Sequence, residues 1–104
     1  MNADGTRFCT VEVKCDKRRE QTGNYYIEHT NYFGRAGGID SSTADYWIIS
    51  NGVNYFVFRA SSLRRKIKEL RASKTLCQGR SGDNTRGYLI PAVEIEQNIC
   101  EFKL

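Results

Sequence analysis

Thr10-Val-Glu-Val-Lys-Cys15 is a β-rich run in which Glu12 and Lys14 stand two residues apart. Successive strand side chains point to opposite faces, so Glu12 and Lys14 share one face and Val11 and Val13 the other. A carboxylate can hold a divalent metal, and an ammonium group beside it can orient a hydrolytic water or neutralise charge developing on a phosphate. The pair therefore suits chemistry on a phosphodiester. It is also the pattern of a half-buried strand carrying a solvated ion pair, so the surrounding elements must decide. The facing expected here places Val11, Val13 and Cys9 on the core side and leaves Glu12 and Lys14 accessible.

Length and composition narrow the field. A chain of 104 residues holds one domain, 1–104, with one modest core, and 39% hydrophobic and 12% aromatic content belongs to a globular protein. No apolar run approaches the ~18 residues needed to span a bilayer. The segment Met1-Asn-Ala-Asp-Gly-Thr6 lacks the charged and apolar regions of a secretory signal. The expectation is a soluble, cytoplasmic protein with no membrane partner. A net charge of +4 favours an anionic partner. Basic residues gather at 14–19, 59–71 and 74–86, and nucleic acid is favoured if all three clusters surround the Glu12 face. Cys9, Cys15, Cys77 and Cys100 form no Cys-x-x-Cys pair, and His29 is the single histidine, so no structural zinc site is expected. Reduced, mostly buried thiols are expected instead.

The elements that would position the pair can be read in order. Asn2-Ala-Asp-Gly5 predicts a hairpin turn feeding a first strand over 6–14, and Tyr25–His29 a second in which Glu28 shares a face with Tyr26, opposite Ile27. Gly34, Gly37 and Gly38 mark an irregular stretch, and residues 40–43 a cap or turn. Two apolar strands, 45–50 and 53–59, flank Asn51-Gly52, a strong hairpin signal, and their near-continuous apolarity predicts cover on both faces. Ser61 or Ser62 would cap a helix running to about Ser73. Leu63, Ile67 and Leu70 would lie on its inner face, with Arg64, Arg65, Lys68 and Arg71 outward. A flexible basic loop is expected over 78–87, an apolar element from Tyr88, and either strand or helix from Val93 to Leu104.

This order of elements resembles the second part of the PD-(D/E)xK nuclease fold, as in Holliday junction resolvases and phage endonucleases. The string Glu20-Gln-Thr-Gly-Asn-Tyr-Tyr-Ile-Glu28, followed by Gly37-Gly-Ile-Asp-Ser-Ser-Thr-Ala-Asp-Tyr-Trp47, is similar to segments of small phage proteins of that superfamily. The resemblance covers about residues 6 to 91. It implies an α+β, restriction-endonuclease-like mixed β-sheet with one or two flanking helices, and a divalent-metal-dependent, resolvase-like DNA endonuclease of phage origin. Glu12 would be the metal-binding carboxylate and Lys14 the catalytic lysine, with the Val13 carbonyl as a further ligand to Mg2+ or Mn2+. Glu28 would support the site from a neighbouring strand or pair with Lys14, and Gln21 is a second-tier candidate. Lys17, Arg18, Arg19, Arg35, Arg64 and Arg65 would contact DNA. The family's pattern also has an acid on the preceding strand. Asp4, set in turn chemistry, is not expected to be that ligand, so the chain is expected to lack the helix and strand that open the full fold, with weak metal affinity and nuclease activity unless an acid from a partner chain or Glu28 substitutes.

Other residues have structural readings first: His29 as a partly exposed strand residue, Asp40 and Asp45 at turns or helix ends, and Tyr46, Trp47, Tyr55, Phe56 and Phe58 as core. Tyr32 and Phe33 lie in a glycine-rich loop where a base or phosphate contact is open to them. Two alternatives stand beside the nuclease. One is a non-catalytic nucleic-acid-binding module on a degenerate nuclease fold, and the other a small structural protein whose charge serves solubility. An open sheet edge and symmetric strand cutting also lead to the expectation of a homodimer.

Overall fold

The computed structural model describes residues 9–17, 22–31, 33–80 and 85–104. The expected turn at 2–5, Asp4, Arg18, Arg19, Gln21 and Tyr32 therefore lie outside the described residues. Among the described residues the fold is mixed α+β, with two sheets and one main helix. The first sheet contains β1 (Val11–Cys15), β3 (Tyr46–Ser50), β4 (Tyr55–Arg59) and the short β7 (Phe102–Lys103), in that spatial order. β1 runs parallel to β3, while β3 with β4 and β4 with β7 are antiparallel, so this sheet is mixed. The second sheet is antiparallel and is ordered β2 (Asn24–Thr30), β6 (Arg86–Pro91), β5 (Cys77–Arg80). The helix α1 (Ala60–Ala72) follows β4 directly.

One core joins these parts. Trp47, Ile49, Phe56 and Phe58 line the inner face of the first sheet, all at 4% exposure or less. Tyr25, Ile27, Tyr88 and Ile90 supply the second sheet, and Leu63 and Ile67 bring in the inner face of α1, as their helical spacing predicts. The rings of Tyr25 and Phe56 meet edge to face at 6.5 Å.

The Asn51-Gly52 hairpin forms in the expected place, with a four-residue connection over 51–54. The Asn51 side chain accepts the N–H groups of Val53 and Asn54 at 2.9 and 2.8 Å, and Gly52 takes φ +96°. The expected cover on both faces is corrected: the inner face of this hairpin is buried, whereas on the other face Ile48 and Val57 are half-buried and Tyr55 is 48% exposed. Neither Ser61 nor Ser62 caps α1. The chain passes straight from β4 into the helix, and the Asp45 carbonyl accepts the Ala60 N–H at 2.9 Å. The loop expected over 78–87 begins as strand β5, because Cys77–Arg80 pair with β6. The ambiguous C-terminal stretch resolves into a π-helical turn, Glu94–Asn98, and β7. Among the described residues no helix is long and apolar enough to cross a membrane.

Candidate functional site

Register decides what Glu12 and Lys14 face. Glu12 lies beside Trp47 and Lys14 beside Ile49, and laterally paired strand residues point to the same side of a sheet. The charged pair therefore shares the inner face with the core, whereas Val11 and Val13 point outward at 48% and 62% exposure. This corrects the expected facing. The pair escapes full burial because, among the described residues, β1 is the outermost strand of its sheet. The Lys14 and Glu12 side chains keep 46% and 39% exposure and approach each other to 3.7 Å. Cys9, Cys15 and Cys77 are exposed free thiols and Cys100 is half-buried, so the expected burial is corrected while free thiols are found.

Lys14 lines two clefts. The outer one, about 410 Å³, has Glu12 on β1 as one wall and the backbone rim of Gly38 and 41–44 as the other. The inner one, about 170 Å³, is lined by Lys14, Asp16, Tyr26, Glu28 and Trp47. Lys14 is thus the residue that connects Glu12 to Glu28, although these acids belong to different sheets. Glu28 is half-buried on the Tyr26 side of β2, as alternation predicts. The expected neighbouring-strand relation is corrected: Glu28 lines the inner cleft from the other sheet, and among the described residues the carboxylate within salt-bridge distance of Lys14 is that of Glu12.

Two further acids hold this arrangement. Asp16 accepts the Tyr26 backbone N–H at 2.8 Å, tying the end of β1 to β2. Its position at the edge of a polar segment gave no periodic signal, so sequence reasoning passed over it. Asp45 accepts the Thr10 N–H at 3.1 Å, while Thr10 O accepts the backbone N–H groups of Asp45 and Tyr46, both at 3.0 Å. The turn role expected for Asp45 thereby fastens the start of β1 to β3.

The rim of the outer cleft is built from glycine. Gly38 has φ +50°, and a β-carbon there would lie 2.8 Å from the Glu28 Cβ; one on Gly37 would lie 2.8 Å from Glu28 Oε2. Only a chain without side chains passes this close to β2. The rim is held from its far side by Arg64, which donates to Ser42 O at 2.7 Å. Arg64 therefore has a structural partner, while Arg65 projects from α1 exposed. Arg35 is exposed on the loop that Asn31 organises by accepting the Phe33 and Arg35 N–H groups at 3.0 and 3.1 Å. Lys17, also exposed, follows β1 and rests against the Asn51-Gly52 turn. The described members of the basic set thus occupy three places: the end of β1, the glycine-rich loop and α1.

His29 is structural. Its ring packs on Tyr88 at 4.4 Å, and its two nitrogens meet Thr30 Oγ1 and Gln78 Oε1 at 2.7 and 3.1 Å. Trp47 is core as expected, yet its indole N–H is buried without a hydrogen-bond partner among the described residues, and the residue lines the inner cleft. No protein-family model, curated protein or solved structure matches the chain. The site must therefore be read from its chemistry.

That chemistry is carboxylate at Glu12, Glu28 and Asp16 and ammonium at Lys14, with the Cys15 thiol also on the lining of the inner cleft and no imidazole among the residues that line either cleft. Among the described residues no group of three His, Cys, Asp or Glu side chains is close enough to enclose a metal ion. A hard cation such as Mg2+ needs only one or two protein carboxylates when substrate phosphate and water complete its shell. On donor type and number, Glu12 with the Val13 carbonyl fits that mode of binding.

Proposed function

We propose that the Glu12 and Lys14 clefts bind and hydrolyse a DNA phosphodiester with the help of Mg2+ or Mn2+, on a restriction-endonuclease-like, PD-(D/E)xK-type fold. The observation that carries this reading is the position of Lys14, 3.7 Å from Glu12 and shared between the clefts that hold Glu12 and Glu28. Glu12 would hold the cation, which would supply Lewis-acid activation of the phosphate and of the attacking water. Lys14 places its ammonium where charge develops on the phosphate oxygens, an interaction that strengthens in the transition state. Glu28 adds a second carboxylate to the inner cleft that Lys14 lines. Lys17, Arg35 and Arg65 neutralise flanking phosphates, while Arg64 chiefly secures the rim.

The test is nicking of supercoiled and branched DNA with Mg2+, with Mn2+ and with EDTA. Cleavage that requires the metal is expected, and its absence under every condition overturns the catalytic reading. A second reading, a non-catalytic DNA-binding module, is favoured by the absence of a three-ligand cluster among the described residues. It is distinguished by DNA binding that weakens steeply with salt while no cut is made. In either case Arg35→Ala and Arg65→Ala should each lower the slope of log affinity against log salt by about one.

A further inference from the structure

Among the described residues β1 is paired on one side only, with β3. Thr10 O accepts the Tyr46 N–H and the Asp16 N–H donates to Ser50 O. Backbone direction alternates along a strand, so the even-numbered residues of β1 aim their N–H and C=O groups at β3. Val11, Val13 and Cys15 aim theirs at the open edge.

We propose that a second copy of this chain adds its β1 antiparallel to this edge, about a two-fold axis at Val13, setting each Glu12 opposite the partner's Lys14. A two-fold axis perpendicular to the sheet keeps the charged faces of the two protomers on the same side, so only residues of like parity can oppose each other. Centring the pairing on Glu12 would set two carboxylates against each other, and centring it on Lys14 two ammonium groups. Centring it on Val13 makes both charged contacts attractive. The odd residues become the hydrogen-bonded pairs, which puts Glu12 and the partner's Lys14 in the non-hydrogen-bonded position, where opposing Cα atoms are only about 4.5 Å apart. On the other face Val13 meets the partner's Val13 and Val11 meets the partner's Cys15. This covers valine side chains that are 48% and 62% exposed in the single chain. Val-Glu-Val-Lys-Cys is thus complementary to its own reverse on both faces of the strand. Each Glu12 thereby gains a second ammonium besides its own Lys14.

This association extends the site proposed above but is read without DNA or metal, so its failure and that of the nuclease reading are separable. Sedimentation of the full chain from about 10 to 500 µM covers the range in which a small contact of this kind associates. A concentration-dependent dimer is expected. Glu12→Lys and Lys14→Glu should each be monomeric over the same range, since each places like charges in opposition. An equimolar mixture of the two variants should form a heterodimer, because each then supplies the charge the other needs, and that rescue also shows that both variants are folded. A wild-type chain that stays monomeric at the top of the range overturns the proposal, and so does a mixture that remains monomeric.

Discussion

Gly38 lies so close to Glu28 that a β-carbon would stand 2.8 Å from the Glu28 Cβ, at a backbone φ of +50° that L side chains rarely adopt. The contact joins the rim of the outer cleft to the strand that carries Glu28. Gly38→Ala should therefore cost stability by about 2–4 kcal/mol, from the steric overlap and the backbone strain together. Urea denaturation measures the first effect. Cleavage should fall further than the loss of folded protein accounts for, because Glu28 must move to admit the methyl group; cleavage that falls only in step with the folded fraction would separate the rim from the site.

Glu12→Gln and Lys14→Ala should each lower metal-dependent nicking by about 100-fold or more, since each removes a charge from the reacting centre. Both side chains are partly exposed, so far-ultraviolet circular dichroism should be unchanged. A variant that nicks like the wild type removes its residue from the mechanism, and one that unfolds assigns it to structure.

The facing of β1 sets the expected cost of core changes. Val11, on the open face, should lose less than about 1 kcal/mol on truncation to alanine. Ile49, at 1% exposure on the inner face, should lose about 2–5 kcal/mol through the cavity left behind. Equal losses at the two positions would mean that the outer face is covered in solution, and the comparison should be made at low protein concentration, where a dimer does not protect Val11.

Lys66 gives the fold an alkaline limit. Its ammonium reaches Glu69 at 2.9 Å and Glu94 at 3.2 Å. The hydrogen bond to Glu69 and then that to Glu94 raise its pKa above the ordinary 10.5, against the opposing effect of burial. The folded chain therefore holds this proton more tightly than the unfolded chain. The resulting stability is fully present below the unfolded pKa and is lost as pH rises through the folded one. Lys66→Met should be less stable than the wild type near pH 8, and the difference should shrink at about pH 11. Urea midpoints at the two pH values check this, and a difference independent of pH would show that Lys66 acts through packing alone.

Local pattern made several elements legible in advance. The spacing of Leu63, Ile67 and Leu70 marked α1, Asn51-Gly52 marked the β3–β4 hairpin, and alternation put Glu28 on the Tyr26 side of β2, opposite Ile27. These are short-range properties, set by the 3.6- and 2-residue periods and by turn chemistry, and the chain states them wherever it is cut. β5 was not legible because Cys77-Gln-Gly-Arg80 has neither β-branched nor apolar alternation. It is a strand because β6 offers it an edge.

For the site, the sequence by itself determined that Glu12 and Lys14 share a face and that Val11 and Val13 share the other. It did not determine which face meets the core, because strict alternation is the same pattern whichever way the strand is turned. Tertiary structure settled that question through the parallel pairing with β3, which aligns Glu12 with Trp47 and Lys14 with Ile49. It also brought Glu28 to the cleft that Lys14 lines, from the other sheet. Separations of that kind leave no period in a sequence, since they arise only when the apolar faces of distant strands are buried against each other.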